Sequence, residues 1–115
     1  RALGQRILGL LIQYIARPQD DSRFLQEAQE SGASYGVLAV RCGASFRESV
    51  EAFIFFRKAF SRTALQMPRV AQSSDAEEAI RLAEQINQFM DVVLIGLVAG
   101  YETGRANEPV SKAMR

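Results

Sequence analysis

The sequence predicts an all-α fold, an antiparallel bundle of four main helices. Apolar residues recur at spacings of three and four along most of the chain, and capping signatures stand at segment boundaries. No period-two stretch bounded by turn residues competes, and the connections are short enough for antiparallel neighbours. At 115 residues, 48% of them apolar and 23% charged, the chain suits one globular domain with a single core.

In the first segment Leu3, Ile7, Leu10, Leu11 and Tyr14 make one helical face, and Pro18 closes the pattern. Leu8, Ile12 and Ile15 widen the stripe, which implies burial on more than one side, within the domain or against a second copy. A second helix starts between Asp20 and Ser22, where each polar residue can cap. Its stripe is Leu25, Ala28, Gly32, Tyr35, Ala39 and Cys42, and Gly43 is its stop. Gly32 and Gly36 each cost about 1 kcal/mol relative to alanine inside a helix. Their presence points to close packing of a neighbour, or to a break near Gly32, and one continuous helix is the reading preferred.

Ser45-Phe46-Arg47-Glu48 has the capping-box spacing and opens a third helix. Phe46, Val50, Phe53, Phe56 or Arg57, and Phe60 share a face that ends between Leu65 and Pro68. After a polar linker, Arg69 to Ser74, the box recurs at Ser74-Asp75-Ala76-Glu77 and starts a fourth helix with the stripe Ala79, Ala83, Ile86, Met90, Val93 and Leu97. From Val92 onward that helix is apolar all round, so other helices or another subunit should enclose it. From Thr103 the chain turns polar. Residues 1–104 are therefore read as one helical sensor and dimerisation domain and 105–115 as a polar tail or linker.

Composition removes several function classes. Fourteen Lys and Arg against 13 Asp and Glu leave a net charge of +1, too balanced for a nucleic-acid surface. With no histidine, His-ligated zinc or haem and Ser-His-Asp or Cys-His catalysis are ruled out. Chemistry would have to run on carboxylates, Lys58, Lys112, tyrosines or arginines. No enzyme activity, cofactor or metal is expected. The single Cys42 forms no intrachain disulfide and suits a reducing, cytoplasmic setting. The start of the chain lacks a secretory signal and a methionine, which suggests a piece of a longer protein or a processed product. The longest apolar run, Val92 to Tyr101, is about half of the roughly 20 residues a spanning helix needs, so no membrane segment is expected.

Five of the seven phenylalanines lie between Phe46 and Phe60. Phe53, Phe55 and Phe56 cannot share one core face, because consecutive helix positions are about 100° apart. Tyr35, Phe53, Phe56 and Met90, with Arg57, are the candidate lining of an apolar ligand pocket; the plainer reading is an aromatic core. Gly96, Gly100 and Gly104 place three side-chain-free patches on one stripe. Gly96, Gly100, Val93, Leu97 and Phe55 are accordingly the candidate dimer interface, and a close crossing inside one bundle is the alternative. Asp91 is read as a solvated edge residue or a structural ion pair; if buried it calls for Arg57 or Arg41 as a partner, and a sensing site is the sharper alternative. Cys42 is expected as an inert core thiol, the alternative being a redox or electrophile sensor if it is exposed beside Arg41. Glu48, Glu51, Glu77 and Glu78 need no role beyond capping and a solvated face, because the Glu-x-x-His partner of di-iron bundles is missing.

Gly32-Ala33-Ser34-Tyr35-Gly36, then Gly43 to Glu48 followed by Ala52-Phe53 and Phe56-Arg57, then Ile86, Asp91 and Gly100-Tyr101-Glu102 occur in an order that resembles a known family. The family is the helical N-terminal sensor domains of bacterial stressosome co-antagonists, related to domains ahead of histidine kinases and some transcription regulators. The resemblance runs from about Ile7 to Glu102. It implies a haem-free, globin-like bundle, dimeric and joined through its last helix to an output domain, with no catalytic residues and no defined ligand.

The function expected is thus a non-catalytic sensory or regulatory input domain that dimerises and passes a signal through its last helix to an effector beyond Arg115. The alternative is a bundle that binds a small apolar ligand or lipid. Neither nucleic acid nor membrane is an expected partner.

Overall fold

The computed structural model describes residues 2–66 and 75–107. It is all-α: α1 (Ala2–Ala16), a short 3-10 turn (Pro18–Asp20), α2 (Asp21–Arg41), α3 (Phe46–Leu65) and α4 (Ala76–Ala106). The 31 residues of α4 extend about 46 Å at the standard helical rise and set the long axis of the molecule.

Local signals place the boundaries. At the end of α2, Gly43 adopts φ +79°, its N–H donates to the Val40 carbonyl, and the Ala44 N–H donates to Ala39. That pair of bonds is a Schellman stop, and it needs the left-handed conformation that glycine supplies. Two residues later the capping box forms in both directions: the Glu48 N–H donates to Ser45 Oγ at 3.0 Å, and the Ser45 N–H donates to Glu48 Oε1 at 2.8 Å. A helix stop and a helix start thus meet across Ala44, turning the chain sharply. The expected box at the start of α4 differs. Asp75 is the N-cap and accepts from the Glu77 N–H at 3.0 Å, while Ser74 lies outside the described residues.

Consecutive helices run antiparallel, as expected. α1 leads through the 3-10 turn into α2, so that its first turn, at Gly4 and Ile7, lies beside Tyr35 and Leu38 near the far end of α2. α3 descends along α4: Phe46 packs on Tyr101, whereas Arg57, further along, reaches Asn87 and Asp91. The pair that makes the tightest contact is not consecutive. Gly32 faces the Val93 carbonyl and Gly36 the Leu97 carbonyl, while Gly96 faces that of Gln29 and Gly100 that of Ala33. Numbers rise together on both sides, so α2 and α4 are parallel. In a plain up-and-down bundle they would sit on a diagonal; here their glycines bring them backbone to backbone. α2 is accordingly one unbroken helix through Gly32.

The core fills the space between this pair and α1. Leu11, Ile15, Phe24, Leu82, Phe89, Met90 and Leu97 are all nearly inaccessible, and the Tyr14 and Phe89 rings pack 5.6 Å apart. Each fully buried large side chain of this kind contributes about 1.5–3 kcal/mol. A smaller cluster of Ala39, Val40 and Tyr101 seals the end where α2 turns, and the Tyr101 hydroxyl donates to the Ala44 carbonyl at 2.8 Å.

Several expectations need correction. On α4 the inward positions near the start are Leu82, Ile86 and Phe89, and Ala79 and Ala83 are exposed. The apolar half of α4 is not enclosed all round, since Ile95 is 55% exposed. The helix continues through Thr103 to Ala106, although the chain turns polar there. Cys42 is exposed rather than in the core, because it caps α2 beyond the last buried turn. By length and composition alone α4 can also cross a membrane; a bundle's core helix passes the same test, and 39% of its most apolar window is buried. The short uninterrupted run at Val92 to Tyr101 understated the reach of the helix that carries it.

Candidate functional site

α3 is the helix held most lightly. Along its middle only Ser49 and Phe53 are buried, whereas Ile54 is 49% and Phe55 70% exposed. It is pinned at its start by the Tyr101 hydrogen bond and ring contact, and further along by an ion pair of Arg57 with Asp91 at 3.1 Å. Arg57 also donates to Asn87 Oδ1 at 3.4 Å. Arg23 with Glu27, Arg47 with Glu51 and Arg81 with Glu78 join positions three or four apart on one helix, whereas this pair ties two helices together.

Between α3 and the other three helices lies a cavity of about 130 Å³, lined by Gly4, Ile7, Tyr35, Leu38, Phe53, Phe56, Phe60, Met90, Val93 and Leu97. Four of the five residues expected at an apolar pocket, Tyr35, Phe53, Phe56 and Met90, meet there. Arg57 does not; on the next helix position after Phe56 it turns to Asp91 instead. Aromatic contacts shape the wall. Tyr35 and Phe56 stack edge to face with centroids 6.0 Å apart, and Phe56 lies 6.2 Å from Phe60. Burial raises the pKa of the Tyr35 hydroxyl above its ordinary value, so the ring stays neutral through the physiological range. No lining side chain is charged.

Sequence reasoning missed Gly4, Ile7, Leu38, Phe60, Val93 and Leu97 as lining residues, the last two having been expected at a subunit interface. Phe60 and Ile7 carried a signal, since they stand on the apolar faces of α3 and α1; Gly4 carried none. Gly96 and Gly100, expected at a subunit interface, lie against α2 of the same chain, as do the Val93 and Leu97 backbones, and Val93 and Leu97 also line the cavity. Their small or slender side chains suit any close helix crossing, and spacing alone does not say which helix arrives. Phe55 remains outside, its ring against Phe56 at 6.2 Å.

The Asp91 carboxylate is 62% exposed, so it needs no compensating buried cation. A second concavity follows the outer seam of α2 and α4, past Ala33, Val37, Leu38 and Ala99. It is an open groove. Among the described residues no group of three or more side chains is placed to hold a metal ion.

No family model, curated protein or solved structure matches the chain.

Proposed function

We propose that this chain is a non-catalytic sensory or regulatory input domain of a cytoplasmic protein, in which the cavity beneath α3 receives a small apolar ligand. The response passes through α3 and the far end of α4 to an effector module. One observation carries the reading: the most lightly held helix is also the one that roofs the cavity. A ligand there touches α3 on one side and the locked α2–α4 pair on the other, so it can favour one placement of α3 over another. The order of sequence features similar to stressosome co-antagonist sensor domains supports the same class. Tyr101 gives a route outward, because it bonds the turn that launches α3 and belongs to the last two turns of α4.

Native-state hydrogen exchange tests the reading. The amides of α3 should open as one unit at a free energy well below that of α2 and α4. Exchange of α3 in step with α4 would sink it.

Dimerisation belongs to the same proposal in a changed form. The glycine stripe is occupied, whereas Phe55 and Ile54 stand exposed on the outer face of α3. Light scattering across a concentration series, repeated on Phe55→Ser, reads it: loss of a dimer in the variant supports contact through α3, and a monomer throughout removes this part.

A further inference from the structure

The proposed function leaves the ligand open, and the cavity narrows it. Building on that reading, we infer that the cavity beneath α3 binds a single small, neutral aromatic molecule between benzene and indole in size. Three properties of the site lead there.

The first is volume. Sites for drug-sized ligands span roughly 300–1,000 Å³, whereas an apolar cavity of about 150 Å³ accepts a benzene ring. At about 130 Å³ this cavity falls in the second class, too small for a fatty-acid chain. The second is charge. The lining is uncharged and its single polar side chain is the neutral Tyr35, so a carboxylate or ammonium would be buried without a partner. The nearby cation, Arg57, is already engaged by Asp91 and Asn87. The third is shape and polarisability. Tyr35, Phe53, Phe56 and Phe60 offer faces and edges to a flat ring, and the Met90 thioether favours ring contact.

Gly4 makes the inference testable. It lines the cavity, and a Cβ built on it meets nothing within 4 Å. A leucine grown from this lining position meets no wall at its Cβ, so Gly4→Leu is the variant expected to narrow the cavity without disturbing α1. Gly9 is equally open on the same helix but is not part of the lining, so Gly9→Leu is the matched control.

Thermal unfolding of the chain and both variants is measured with benzene, indole and dodecanoate. Benzene or indole at about ten times its Kd should raise the Tm of the parent and Gly9→Leu by about 5–10 °C and leave Gly4→Leu unmoved. Dodecanoate should have no effect. In parallel, the Met90 methyl resonance should shift on benzene titration, a readout that does not depend on any variant folding. An unmoved Met90 signal, equal stabilisation of Gly4→Leu, or stabilisation by dodecanoate alone would each overturn the inference. The exchange experiment uses no probe. An α3 that does not open separately therefore defeats the sensor reading, whereas a mobile α3 with no ring binding defeats only the ligand assignment.

Discussion

Gly100 of α4 lies against the carbonyl of Ala33 in α2 so closely that no Cβ fits between them, and Gly36 of α2 stands in the same relation to Leu97. Helix meets helix through backbone, a geometry in which Cα–H groups approach facing carbonyls. The neighbouring atoms are main chain and cannot swing aside, so Gly96→Ala or Gly100→Ala must force the helices apart. We expect a loss of about 2–3 kcal/mol or more in urea unfolding, although alanine is the better helix former. Gly4→Ala and Gly9→Ala, with open space around each Cβ, should instead gain up to about 1 kcal/mol. Equal effects at the two pairs of glycines would contradict the crossing.

Two phenylalanines two positions apart should behave oppositely. Phe53 is 5% exposed and packs into the core, so Phe53→Ala should cost about 3–5 kcal/mol. Phe55→Ala removes a 70% exposed ring and should stay within about 0.5 kcal/mol in the monomer. Chemical denaturation of the two variants at low concentration measures the contrast.

The ion pair between Arg57 and Asp91 orients α3 more than it stabilises it. Both side chains are partly solvated, so a double-mutant cycle with Arg57→Gln and Asp91→Asn should return a coupling below about 1 kcal/mol, smaller still in high salt. A coupling of several kcal/mol would mean a drier contact than the structure shows.

Two sets of groups define the pH range of stability. Hydrogen bonds from the Ser45 backbone N–H and from its side chain hold the Glu48 carboxyl below the usual carboxylate range. Its contribution is present above the unfolded pKa of about 4.3 and is lost as pH falls through the lower folded value. Tyr14 and Tyr35 are raised by burial, with the Asp21 charge adding to Tyr14. Their contribution is full below about pH 10 and is lost as pH rises through the higher folded values. Stability against pH should therefore fall at both ends, and Ser45→Ala should lower the plateau by about 1 kcal/mol and flatten the acid limb. An acid limb unchanged in Ser45→Ala would show that the capping box does not set it.

The sequence by itself determined the helices, because their signals are local. The capping box at Ser45 and Glu48, the stop at Gly43 and the three-and-four stripes each act within a turn or two of chain; the box and the stop appear where expected, and the stripes do except at the start of α4 and at Cys42. It also brought four of the ten lining residues together, since Tyr35, Phe53, Phe56 and Met90 each stand on the apolar face of a helix and only a shared interior can receive those faces. Tertiary structure decided which surfaces meet. A glycine stripe states that some backbone approaches but not whose, and here α2 of the same chain fills it. Arg57 and Phe56 are consecutive, yet one turns to Asp91 and the other to the cavity, a division set by the roll of α3 on the core. Cys42 fits the stripe of α2 and still lies in solvent, because packing ends one turn before the periodicity does.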